Sequence, residues 1–163
     1  MTDLSGTISS DFATYYEFVA GQVHKWADPL TQEQFWCNPY TYGNSVGHLV
    51  LHLTGNLSYY IGARVAETGY VRHRDREFAE TEQPEKKKVL DAFDQTIAMV
   101  VATIRRQGPA DWLKPYSAER EPGADERFMI FLRCAGHAYH HVGQIIFLCK
   151  ELAKGVGPQS AST

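Results

Sequence analysis

From about Asp125 to Leu152 the chain reads as one long amphipathic helix whose apolar stripe contains two histidines. Ile130, Cys134, His137, His141, Ile145, Leu148 and Leu152 recur at spacings of three and four, which places them on one helix face. His137 and His141 are one turn apart, with Cβ atoms about 6 Å from each other. A helix with such a stripe must bury it against other apolar faces. Imidazoles placed on that stripe must find hydrogen-bond partners or a metal ion.

Three further segments supply matching faces. Ile8 to Trp26 carries Ile8, Phe12, Tyr15, Val19, Val23 and Trp26 at helical spacing, and Asp28-Pro29 ends it. Thr31-Gln32-Glu33-Gln34 matches a capping box and opens a short helical turn. Cys37 to Gly43 is turn-rich. The second long helix starts at Asn44 or Ser45, either a good N-cap, and runs to about Glu67, with Gly69 as its stop. Its stripe is Val46, Leu49, Val50, Leu53, Leu57, Ile61 and Val65. Thr68 to Gln83 has no sustained period and reads as a polar connection, with Arg72-His73-Arg74-Asp75-Arg76 as a solvated loop.

Pro84 suits the first position of a third helix with stripe Val89, Leu90, Phe93, Ile97, Val100, Val101 and Ile104. Gln107-Gly108-Pro109 closes it, and Lys86-Lys87-Lys88 reads as a solvated face. A loop from Ala110 to Gly123 precedes the last helix. No strand-like alternation and no internal repeat is present. The expected fold is all-α, a four-helix bundle with long connecting loops, formed by one domain over residues 1–153. A disordered tail is expected over residues 154–163.

Composition narrows the function classes. A net charge of −3 offers no general attraction to nucleic acid or anionic membrane. No apolar run approaches the roughly 18 residues of a membrane span, and the N-terminus has no secretion signal. The three cysteines, Cys37, Cys134 and Cys149, are scattered without a CxxC pair, which fits a reducing cytoplasm.

The histidines leave two readings open from the residues alone. An i, i+4 pair presents two nitrogens to one ion, and a third must come from another helix. His52, mid-helix beside Leu49 and Leu53, is the best donor, and His48, one turn earlier, is a substitute or a supporting partner. Alternatively the imidazoles are core residues satisfied by hydrogen bonds. His140 lies about 100° around the helix from His141 and faces elsewhere. His24 and His73 are isolated and read as surface residues. There is no HExxH and no Gly-rich phosphate loop. No acid lies within one turn of His52 or His137, so no carboxylate base can be named; Asp125 and Glu151 are about three turns from the pair. Cys134, three residues before His137, is either a nucleophile or buried core.

Two stretches carry a family resemblance. NSVGHLVLHLTGN, from Asn44 to Asn56, resembles the second-helix motif of the DinB-like superfamily. HAYHHVGQI, from His137 to Ile145, resembles its fourth-helix signature, an HxxxH followed by one residue and Gly-Gln. The resemblance implies a bundle with a long crossover and a divalent metal, nickel or zinc, held by His52, His137 and His141. It also places Asn56 and Gln144 at motif positions, where they orient a ligand imidazole or join helices by amide bonds. Some members activate a low-molecular-weight thiol (bacillithiol or mycothiol) for transfer to an electrophile, and others resemble hydrolases or isomerases. The expected function is a metal-dependent enzyme activating a thiol or water for a small-molecule substrate. The alternative is a non-enzymatic metal-binding or stress-response bundle protein. Members often form homodimers, which extends that expectation here.

Overall fold

A computed structural model describes residues 4–155. Its elements are α1 (Leu4–Ala27), α2 (Gln32–Trp36), α3 (Val46–Leu57), α4 (Arg74–Phe78), α5 (Lys86–Arg105), α6 (Pro109–Trp112) and α7 (Arg127–Leu152). A π-helical turn, Ser58–Ala63, continues α3. The described residues form no strand; an isolated antiparallel bridge joins Pro115 to Glu126 at the entry to α7. Among them no helix is long and apolar enough to cross a membrane.

Helix α1 packs on α5 and α7, and α3 packs on the same two helices from the other side. The apolar residues of the stripes expected for α3, α5 and α7 are all buried, from Val46 to Val65, Val89 to Ile104 and Ile130 to Leu152, while His137 and His141 in the last stripe are half-buried. Each fully enclosed Leu, Ile or Phe contributes about 1.5–3 kcal/mol over an exposed one. In α1 Val19 and Val23 are buried as expected, but Ala13, Tyr16 and Ala27 take the inward positions expected of Phe12, Tyr15 and Trp26. Tyr16 is fully buried and Tyr15 is at the surface, because the Tyr16 hydroxyl donates to the Phe131 carbonyl of α7 at 2.8 Å. A buried phenol needs such a partner, and position 16 has it.

The boundaries follow local chemistry. Thr31 and Gln34 form the expected reciprocal capping box, and Ser45 caps α3 by accepting from the His48 backbone N–H. The second long helix keeps its α form only to Leu57, and beyond the π turn the chain reverses at Glu67 and Gly69, both with positive φ. Lys86 is not part of a solvated face. Its ammonium donates to the carbonyls of Asp28 at 2.7 Å and Leu30 at 2.6 Å, tying the start of α5 to the end of α1.

The connection from residue 68 to 83 is not a solvated loop. It contains α4, which packs on α3 and buries Glu77. Arg72, just before it, has a side chain only 8% exposed. Of the tail expected from Lys154, the residues after Gly155 lie outside the described chain. Lys154 and Gly155 still bond back to Glu151 and Leu152.

Candidate metal centre

Helices α3 and α7 meet so that His52 faces the pair on α7. His52 is buried, while His137 and His141 are half-buried at the edge of the stripe formed by Cys134, Ala138, Val142 and Ile145. The Nε2 of His137 lies 3.2 Å from that of His52 and 3.0 Å from that of His141. One ligand nitrogen from each of the three falls within 4.8 Å of the others.

The outer nitrogens explain why the inner ones converge. His52 Nδ1 is 2.8 Å from the Glu77 carboxylate, an acceptor, so in the neutral ring the proton sits on Nδ1 and Nε2 keeps its lone pair. His141 Nδ1 is 2.7 Å from Gln144 Oε1, with the same consequence. Two lone pairs thus point at His137 Nε2, which carries one hydrogen at most. Hydrogen bonding alone cannot satisfy the three atoms well. Two polar atoms nearby are also buried without partners: His137 Nδ1, and the Oδ1 of Asn56, one turn beyond His52 on α3.

Electrostatics keep the α7 pair neutral. Burial first, then His141, His52 and the Arg72 guanidinium, push His137 down to about 3. Burial and the neighbouring His52 and His140 push His141 down to about 4 against the opposing Gln144 bond. Neutral imidazoles are the form that donates to a metal.

Behind His52 stands a buried charge pair. Arg72 donates from Nε to Glu77 Oε1 at 2.7 Å and from Nη2 to Oε2 at 2.8 Å, a two-pronged fork. Burial works against the Glu77 charge, but the Arg72 fork and the His52 bond outweigh it and hold the carboxyl below its ordinary range. The Phe78 ring packs on the His52 imidazole with centroids 4.6 Å apart. Gly55 makes room for the carboxylate, since a Cβ there would run into Glu77.

Glu77 and Arg72 escape a reading of the sequence because they lie outside both histidine motifs. Glu77 is 25 residues from His52 and in a charged, aperiodic stretch. Phe78 beside it is the one local sign that the stretch turns inward.

The other candidates go elsewhere. His48 bonds Ser45 Oγ through Nδ1 at 2.7 Å and the Glu80 carbonyl through Nε2 at 3.0 Å, so both nitrogens are occupied. His140 is exposed, 3.4 Å from the Gln144 amide nitrogen. His24 is not isolated, since it bridges Asp28 and Asp94; His73 is exposed. Cys134 is buried, and burial pushes its thiol far above the ordinary range, so it is core and not a nucleophile.

The donor set suits a divalent ion. Tetrahedral ligands at about 2.0–2.1 Å from zinc lie roughly 3.3 Å apart, close to the separations of 3.0 and 3.2 Å. The profile of the family described as "Protein of unknown function (DUF1572)" matches residues 9–156. No curated protein matches the chain.

Proposed function

Since this chain belongs to the DUF1572 family, whose function is unknown, we propose that it is a DinB-like metalloprotein. In this reading α1, α3, α5 and α7 are the four walls of a bundle, and His52, His137 and His141 hold zinc or nickel. The observation that carries it is the convergence of three Nε2 atoms, two of them with the opposite nitrogen already bonded to Glu77 or Gln144. Imidazole suits both metals, and an acceptor behind the ring is the usual support of a metal-bound histidine.

Three protein ligands are the number found in catalytic zinc sites, where one position stays open for water or substrate. We assign the chain to metal-dependent enzymes that activate a thiol or water toward a small electrophilic substrate. A divalent ion supplies Lewis acidity that makes such a group nucleophilic at neutral pH. The chain's own residues supply orientation. Glu77 fixes the His52 ring while the Arg72 fork keeps Glu77 charged, so the carboxylate serves as a positioning group and not as a free base. Gln144 fixes His141 in the same way.

The experiment is turnover of a panel of activated esters and alkylating electrophiles, with and without added thiol, by zinc- and nickel-loaded protein and its His52→Ala variant. Turnover that needs metal and His52 is expected. Full metal loading with no turnover on any substrate would favour the binding-only alternative.

A further inference from the structure

Arg72 also lines a cleft of about 540 Å³, within the size range of small-ligand sites, whose lining includes none of the three clustered histidines. Four arginines line it: Arg72, Arg74, Arg76 and Arg120. The carboxylates among its lining residues are Asp75 and Glu119. Arg72 is engaged by Glu77 through Nε and Nη2, leaving Nη1 outside the fork. Among the described residues, the arginine ion pairs are those of Arg72, Arg105 and Arg133. Arg74, Arg76 and Arg120 have none. A protein of net charge −3 therefore gathers three arginines without ion pairs around one concave surface, with the Arg74 guanidinium 5.3 Å from the Phe78 ring centroid.

The cleft also has aromatic walls. Tyr60 is buried, with the Arg72 guanidinium 5.6 Å from its ring centroid, and Tyr59 and Tyr70 complete the surface. Guanidinium groups match the planar geometry of carboxylate and phosphate oxygens, and tyrosine faces take flat apolar bodies. We infer that this cleft is a second binding site, for a small organic oxyanion in which a carboxylate or phosphate is carried on a planar ring. The site does not depend on a metal at the histidines, although Arg72 belongs to both walls.

The test is a titration of the full chain at low salt, read by amide ¹H–¹⁵N shifts, with phenyl phosphate, benzoate, inorganic phosphate and benzyl alcohol as separate probes. Expected are saturable shifts around Tyr59, Tyr70 and Arg120 with an aryl oxyanion and none with benzyl alcohol. The stronger of phenyl phosphate and benzoate identifies the head group. Arg74→Ala/Arg76→Ala/Arg120→Ala should weaken that binding about tenfold or more with the helical spectrum unchanged. Should the triple variant lose structure, Arg120→Ala alone, in a loop, should still weaken it about threefold. Absence of saturable shifts at the cleft would overturn the inference. So would unchanged affinity in the folded variants, or shifts confined to His52, His137 and His141. Inorganic phosphate binding as tightly as phenyl phosphate would overturn the planar-ring requirement.

Discussion

Replacing Glu77 with alanine removes the acceptor that Arg72 and His52 share. The native carboxylate receives two bonds from Arg72, at 2.7 and 2.8 Å, and one contact from His52 at 2.8 Å. Both members of the ion pair have side chains only 8% exposed. Removing one partner of a buried pair typically costs about 3–5 kcal/mol, because the other charge is left without compensation. Arg72 also lines the neighbouring cleft, where water can solvate one edge of the guanidinium, so the expected loss is at the lower end, about 3 kcal/mol. For a chain of this size each kcal/mol moves the midpoint by roughly 2–4 °C, giving a fall of about 6–12 °C. Thermal and urea melts followed by circular dichroism, with EDTA present to remove metal linkage, measure it. Arg72→Ala should cost a similar amount. The double variant has no orphaned charge and should fall short of the summed losses by about 2 kcal/mol or more. A Glu77→Ala loss below about 1 kcal/mol, or single losses that add within about 0.5 kcal/mol, would refute the pair as a coupled buried unit.

Other outcomes follow from the same geometry. Gly55→Ala favours helix by up to about 1 kcal/mol, yet its Cβ must displace Glu77, so net destabilisation in urea is expected. A stabilised variant would show that Glu77 moves aside freely. The pH profile of the metal-free protein has a defined sign. Folded His137 and His141 take protons only near 3 and 4, whereas unfolded imidazoles do so near 6.5, so the unfolded chain binds more protons in between. Stability is therefore full above about pH 6.5 and falls toward pH 4, by at most about 1.4 kcal/mol per pH unit per histidine and less with solvent screening. Urea midpoints at several pH values check this, and a flat profile would contradict it. Glu77, held low when folded, adds a further loss as the pH falls below the ordinary carboxylate range. Finally, calorimetric zinc titration should separate a histidine outside the donor set from a residue that supports it. His48→Ala should bind as the parent does, whereas Gln144→Ala should bind about tenfold more weakly.

The long helices were legible because burial writes itself into apolar spacing. Every apolar stripe residue expected in α3, α5 and α7 is buried, His137 and His141 are half-buried, and His52 lies opposite that pair because all three belong to, or border, those stripes. In α1 Val19 and Val23 were legible, but the inward tyrosine was not. Tyr15 and Tyr16 have the same side chain, and only a partner on α7, the Phe131 carbonyl, decides which turns inward. Glu77 and Arg72 were illegible for a related reason. Their burial depends on each other and on His52, a tertiary arrangement with no local period, held by a helix of five residues. A charged stretch reads as solvated unless its charges have internal partners, and spacing along the chain does not reveal those.

Bound metal in protein purified without a histidine tag tests the central claim most directly. Elemental analysis of the parent beside His137→Ala/His141→Ala, with both helical spectra recorded, gives the comparison. Near-stoichiometric zinc or nickel in the parent, lost in a variant that stays helical, is the expected result. A parent that holds neither metal after reconstitution with excess Zn²⁺ or Ni²⁺ would contradict it and leave the three imidazoles as a hydrogen-bonded core cluster.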